Sequence, residues 1–315
     1  MNKKSSENIF LSIVIANYNK EKYLEKCLLS LLEQKTACKY EIVVIDDGSS
    51  DNSVKILNEI VMDESHKAVV RFLKRSHKGK VNAFNHGVSI AKGEFIKLFG
   101  SDDIANSDMI SKIYHQVNSS KILIHDCAIC DINGIVTKSR FLRLKSETTK
   151  FKTKEIIRGK SYPSGNYVFP RSIANRIFPI DERSTYEDWY ISFIISLEKY
   201  CVKIIPDSLF GYRQVNNSAW GGVNNYSLDI IQYRANRDIK MLDIFSEGAS
   251  SCVLKQITVK KKVLQELVDF EFSKLIKSNL LIKDKFLLLL KVMIYRFDSR
   301  FINWLLKIKQ NFTEY

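Results

Sequence analysis

Five segments of this 315-residue chain carry residue types able to handle a charged, phosphorylated small molecule. Asp46-Asp47-Gly48-Ser49-Ser50-Asp51 places two adjacent carboxylates at the end of an apolar run. A carboxylate there can accept hydrogen bonds from a base or a ribose, while Ser49, Ser50 or Asp51 caps the helix that follows. Phe99-Gly100-Ser101-Asp102-Asp103 repeats the arrangement. Carboxylates at a strand terminus can hold a divalent cation against a diphosphate; the plainer role is capping by Asp102 or Ser107. In HKGKVNAFNHG, positions 77–87, Lys78, Lys80 and Asn85 follow a third apolar run. A lysine there neutralises phosphate as a point charge, although most loop lysines are merely solvated. His77 and His86 are nine residues apart, a spacing that suits surface positions rather than a metal pair. Glu187 and Asp188 in YEDWY precede ISFIISL. They are candidates for a general base at the mouth of a cleft, or for the acidic first turn of a helix. In GYRQVNNSAWGG, Arg213 could grip a diphosphate with its planar fork, with Ser218 nearby; the plainer reading is a surface loop packed by Trp220.

The elements that would position these residues alternate in type. Residues 9–16, 41–45, 68–73 and 94–99 are short apolar runs of strand length. Between them, 20–34, 51–62 and 80–91 carry apolar residues at helical spacing, as at Tyr23, Leu24, Cys27, Leu28, Leu31 and Leu32. Alternation of this kind predicts a mostly parallel α/β sheet with flanking helices, its ligand site beyond the carboxyl ends of the strands. The rule selects the loops 17–20, 46–51, 75–80 and 100–103. Residues 137–160 are rich in Lys, Arg and Thr and suggest irregular structure, 161–225 hold all four prolines, and the chain from about Tyr226 onward suggests helices with many lysines.

Composition bounds the function classes. A 45% hydrophobic and 27% charged chain is that of a globular protein. The net charge of +14 attracts polyanions, yet no zinc-finger spacing or aromatic RNA-binding signature argues for nucleic acid. Six irregularly spaced cysteines, with no apolar targeting core in residues 1–8, suggest free buried thiols in a reducing cytosol. The loop ANYNKEKY after the first strand lacks the glycines of a dinucleotide fold, which argues against an oxidoreductase.

Taken in order, five segments resemble the family 2 glycosyltransferases of the GT-A, Rossmann-like fold: LSIVIANYNKEKYLEKCLLSLLEQ, EIVVIDDGSSDNS, KGKVNAFNHGVSIAKGEFIKLFGSDD, IFPIDERSTYEDWYISFII and GYRQVNNSAW. The resemblance covers residues about 9–220. It implies an inverting, non-processive enzyme that moves one sugar from a nucleotide-sugar, a UDP-sugar above all, to a hydroxyl of a glycan or lipid-linked acceptor. The setting implied is bacterial surface polysaccharide synthesis, of the O-antigen or capsule kind. It also implies that Tyr18 and Asp47 line a uracil pocket, with Ala16 beside them where the family often has proline. Lys80 and Asn85 would lie near the donor and Arg213 would steady its diphosphate. Asp102 would contact the ribose and share with Asp103 the hold on Mn2+ or Mg2+, and Asp188 would be the catalytic base. One departure matters: the family often has Asp where Gly100 stands, so a metal contact from that position is excluded. The Gln-x-x-Arg-Trp segment of processive synthases is missing. The competing class is a non-catalytic sugar-nucleotide-binding or scaffold protein with a decayed site.

The expected organisation is a GT-A domain over residues 1–225, with a nucleotide-binding half to about 125 and an acceptor-side half after it. A helical region, 226–315, would follow. Its last part, 280–309, mixes leucines and aromatics with Lys283, Lys285, Lys291, Arg296, Arg300, Lys307 and Lys309. That mixture is too interrupted to span a bilayer but suits an anionic membrane surface, so a cytoplasmic protein peripheral on the inner face of the plasma membrane is expected.

Overall fold

The computed structural model describes residues 8–63, 65, 69–214 and 228–268. The first half alternates as its periodicity requires. Strand β1 (Leu11–Asn17) is followed by helix α1 (Glu21–Leu32), β2 (Tyr40–Asp46), α2 (Ser53–Met62), β3 (Val70–Lys74), α3 (Lys80–Ile90) and β4 (Phe95–Gly100). β1 to β4 are parallel neighbours in the order β3-β2-β1-β4. The apolar runs of β1 and β2 are continuous rather than alternating because helices cover both of their faces. α1 buries Leu24, Cys27, Leu28 and Leu31, the i, i+3, i+4, i+7 stripe of a helix lying on a sheet.

The second half is less regular. β5 (Ile104–Ala105), α4 (Met109–Gln116), β6 (Ile122–Cys130), β7 (Val136–Lys138), β8 (Glu147–Lys150) and α5 (Thr153–Ile157) lead to β9 (Tyr167–Pro170). Then come α6 (Arg171–Ile177), α7 (Glu187–Leu197) and β10 (Cys201–Arg213). The sheet continues β4-β9-β6-β10-β5, with β9 antiparallel to both β4 and β6. The mostly parallel sheet is thus a property of the first half, and β9 turns the whole into a mixed sheet. The stretch 137–160 is not wholly irregular: β7 pairs with β6, β8 pairs with β10, and α5 follows. These strands escape a pattern search because VTK and ETTK have no apolar alternation; their ladders lie on neighbours rather than in their own side chains.

Two apolar clusters fill the two faces. One gathers Leu24, Leu28, Leu57, Ile110 and Ile113 from α1, α2 and α4; the other gathers Phe84, Val88, Ile173, Ile191 and Ile195 from α3, α6 and α7. Each such side chain, fully buried, contributes about 1.5–3 kcal/mol. α8 (Leu228–Ser246) and α9 (Ser251–Val268) follow. The chain divides into two compact units, residues 1–225 with 240–260, and 226–239 with 261–315. In the first unit Phe245 stacks on Phe193 of α7 at 3.9 Å and meets Trp189 edge-on at 5.2 Å. In the second, the Gln232 amide donates to the Val268 carbonyl at 3.0 Å. No disulfide forms among the cysteines: Cys27, Cys127 and Cys130 are buried, whereas Cys252 is exposed. Among the described residues no helix is long and apolar enough to cross a membrane. Ser218, Trp220 and the basic segment 280–309 lie outside the described residues.

Candidate active site

The carboxyl ends of the parallel strands β1, β2, β4 and β6 share one edge of the sheet. At that edge β2 delivers Asp46 and Asp47. Asp46 turns inward, accepting from the Asn17 amide at 2.8 Å and the Ser49 hydroxyl at 2.6 Å. Asp47 is 2% exposed and accepts from the Arg75 guanidinium (3.0 Å) and the Lys78 (3.0 Å) and Gly79 (2.7 Å) backbone N–H groups, while His77 Nδ1 lies 2.8 Å from its second oxygen. That saturates a carboxylate, which offers about four lone-pair sites. Asp47 therefore organises the 75–79 loop and is not itself open to a base, contrary to the recognition role the sequence suggested. Gly48 permits the close approach: it has φ +79°, and a Cβ there would stand 2.9 Å from the His77 nitrogen. The surface that Asp47 builds is aromatic. His77 and Tyr18, which is 45% exposed, lie with ring centroids 4.3 Å apart. Ala16 sits one strand residue before Asn17, in register with Gly100.

The expected capping at the end of β2 takes an unforeseen form. Asp51 accepts from the Glu21 N–H at 2.9 Å, and Glu21 accepts from the Asn52 N–H at 2.8 Å. Two helices are capped by each other's acidic residue, satisfying donors that neither helix can satisfy alone.

β4 ends at Gly100, and the next carboxylates differ in character. Asp102 is half-buried and pairs with Lys20 Nζ at 2.6 Å. Asp103 is buried and accepts from the Arg213 backbone N–H at 3.0 Å. Burial first, and then the adjacent Asp102 charge, push Asp103 up to about 8 against the pull of that N–H. Both carboxylates close on the place a Cβ at Gly100 would take, 2.6 Å from an Asp103 oxygen and 3.2 Å from an Asp102 oxygen. The missing family aspartate thus leaves room that the two remaining ones fill. Among the described residues no group of three or more His, Cys, Asp or Glu converges as a metal cage. Two hard oxygen ligands with the rest from diphosphate and water is the donor set that Mg2+ and Mn2+ accept, so the residues fit such an ion.

Below Asp103 lies a polar cluster that the sequence did not announce. Lys97 is fully buried, donates from Nζ to His125 Nε2 at 2.7 Å and also reaches the Gly165 carbonyl. His125 Nδ1 faces the Asp126 carbonyl at 2.8 Å, so Nδ1 bears the hydrogen and Nε2 accepts. Burial lowers Lys97 to about 7 and pushes His125 well below its ordinary value.

Arg213, expected as a diphosphate clamp, is 3% exposed. Its guanidinium donates from one terminal nitrogen to the Ile132 carbonyl at 3.1 Å and covers the Tyr23 ring at 4.9 Å, while Nε and Nη2 are buried with no hydrogen-bond partner among the described residues. It braces the β6–β7 hairpin behind Asp103. Asn85, by contrast, has both amide atoms bonded to the Ile180 backbone at 2.7 Å. Its work is to anchor the segment leading into α7.

α7 opens with Glu187 and Asp188, both buried. Glu187 binds Lys80 Nζ at 2.7 Å and the Ser164 hydroxyl at 3.0 Å; burial pushes it up, and Lys80 outweighs this and holds it below the carboxylate range. Asp188 is raised to about 7, by burial first and then by the Glu187 charge, while Lys80 opposes. Lys80 feels the charges of Glu187, Asp188 and Asp102 together, so it links the β4 carboxylates to the start of α7.

The chain belongs to glycosyl transferase family 2, whose family model matches residues 12–178. Its fold is the GT-A fold. It is 42% identical over 108 residues to glycosyltransferase GlyG of Streptococcus pneumoniae, covering 34% of this chain and 35% of that protein. It is 36% identical over 137 residues to a poly(ribitol-phosphate) beta-glucosyltransferase of Bacillus spizizenii, covering 42% of this chain and 21% of that one. The chain thus spans well under two thirds of either relative. The fold is also that of S. aureus TarS solved with UDP, with TM-score 0.55, 17% identity, and 91% of this chain and 81% of that one covered.

Proposed function

We propose that this protein transfers a single sugar, with inversion, from a UDP-sugar to a hydroxyl of a glycan or lipid-linked acceptor in surface polysaccharide synthesis. The observation that carries this is Asp188: a buried carboxylate at the start of α7, raised to about 7 by burial and the Glu187 charge, with Lys80 near enough to feel both Asp188 and Asp102. A base poised near neutrality takes a proton most effectively at working pH. Asp188 accepts the acceptor's hydroxyl proton as that oxygen forms its bond to the anomeric carbon. The bond from that carbon to the diphosphate oxygen breaks, and the nucleoside diphosphate leaves with the electron pair. One displacement inverts the centre.

On the donor side, Tyr18 and His77 offer a ledge for the base, with Asp47 fixing the loop behind it and Ala16 near the end of β1. Lys80 neutralises phosphate. Asp102 and Asp103 would hold Mn2+ or Mg2+, which supplies Lewis-acid stabilisation of the leaving diphosphate. We place the protein at the cytoplasmic face of the plasma membrane, with the basic segment 280–309 as its contact to anionic lipid. The test is donor hydrolysis and transfer across UDP-, GDP- and dTDP-sugars with manganese. Hydrolysis of none of them, by protein that melts cooperatively, would overturn the reading in favour of a binding protein.

A further inference from the structure

Half of the chain's net charge of +14 sits in one stretch: from 138 to 160, nine lysines and arginines stand against two glutamates. All nine are exposed. Like charges so dense repel one another, and that repulsion is relieved when a polyanion binds. Lys152 and Lys160 share Glu155, and Arg140 reaches Asp126 at 3.5 Å. Arg143, Lys145, Lys150, Lys154 and Arg158 have no ion-pair partner among the described residues.

The stretch leaves the candidate active site and returns to it, its middle lying at the far end of β10, where β8 pairs with Cys201–Ile204. It starts on β7, where Lys138 pairs with Ile129 near the carboxyl end of β6. It ends two residues before Tyr162, just ahead of the turn whose Ser164 hydroxyl donates to Glu187. Between these points α5 is pinned along α7: the Trp189 indole donates to the Ile156 carbonyl at 2.7 Å and the Thr153 hydroxyl to the Ser196 carbonyl at 3.4 Å. The basic band therefore runs beside the helix that carries Asp188. A cavity of about 190 Å³ opens within it, lined by Lys150, Lys152, Lys160, Phe151, Tyr162 and the two glutamates. The Phe151 and Tyr162 rings stack there with centroids 5.5 Å apart. Ring faces beside lysines and carboxylates suit a hydroxyl-rich repeat with an anionic link.

We propose that residues 138–160 are the track for a polyanionic acceptor, a saccharide or polyol chain with repeating phosphodiesters, laid along α7 so that a hydroxyl meets Asp188. This rests on the transferase reading above. A flat anionic lipid surface is the competing occupant. It would use the exposed Ile132, Ile135 and Val136 of the β6–β7 hairpin, whereas the cavity and its two glutamates suit a threaded chain.

The test uses the full chain and two charge-matched variants. One carries Lys145→Gln, Lys150→Gln, Lys152→Gln and Lys154→Gln. The control carries Lys35→Gln, Lys39→Gln, Lys55→Gln and Lys92→Gln, exposed positions elsewhere. Binding is measured to long-chain inorganic polyphosphate, neutral dextran, and vesicles with and without anionic lipid, alongside donor hydrolysis. The expected result is at least a tenfold loss of polyphosphate binding in the band variant, with a shallower salt dependence. The control should lose less than threefold, and donor hydrolysis should be unchanged in both. Equal losses in the two variants would reduce the band to general charge, and a loss confined to anionic vesicles would assign it to lipid. Either overturns the proposal while intact donor hydrolysis leaves the transferase reading standing. Absence of hydrolysis in the unaltered protein would instead remove the parent reading.

Discussion

On the proposed reading, burial and the neighbouring Glu187 charge are what fit Asp188 to act as a base. Replacing it with Asn keeps the shape and removes proton acceptance. Transfer should fall by about 10²–10⁴-fold while UDP binding by calorimetry stays within about threefold. Its pH dependence follows from its position. The group must be ionised to act, and burial and Glu187 hold it near 7, so kcat should rise as pH increases from 6 to 8 and level off above. Glu187→Gln removes a charge that raises Asp188 and leaves Lys80, which lowers it, so the rising limb should move to lower pH. A limb that stays in place would show that Asp188 is not the titrating base. At the β4 end, Gly100→Ala puts a methyl 2.6 Å from an Asp103 oxygen. It should weaken manganese-dependent UDP binding at least tenfold with little change in metal-free binding. Equal weakening in both would make the Gly100 space structural only.

At the scale of elements, the placement of α7 depends on partners distant in sequence. Asn85 on α3 holds Ile180, and Phe245 on α8 stacks against Phe193. Phe245→Ala should destabilise the protein by about 3–5 kcal/mol, the cost of a large cavity at a fully buried ring, read from urea unfolding. A loss under about 1 kcal/mol would mean that α8 contributes nothing to the α7 face. The sequence suggested a boundary at 225, but residues 240–260 belong with the first compact unit. The reason is side-chain packing: Met241, Leu242 and Phe245 make a helical stripe whose destination no local pattern reveals.

For the whole molecule, ligand that binds only the native state raises stability by mass action, by about 2.7 kcal/mol at a hundredfold excess over Kd. UDP-sugars with manganese should therefore raise the melting temperature by a few degrees, and GDP-sugars should not. A reverse preference would reassign the base ledge of Tyr18 and His77.

Local pattern alone determined the first four strands and three helices, because apolar runs of strand length and helical spacing suffice where both sheet faces are covered. It also determined that Asp47, Asp102 and Asp103 end strands on one sheet edge, since alternation implies parallel order. Tertiary structure decided what each does. The saturation of Asp47 by Arg75, His77 and the 78–79 backbone depends on a loop meeting a strand end about thirty residues away. The contacts of Arg213 with Ile132 and Tyr23, the Lys97–His125 pair, and the Lys80–Glu187 contact beside Asp188 are likewise long-range. β7 and β8 were hidden for a different reason. They pair with β6 and β10 at the sheet's margin with their residues mostly exposed, so no apolar alternation marks them.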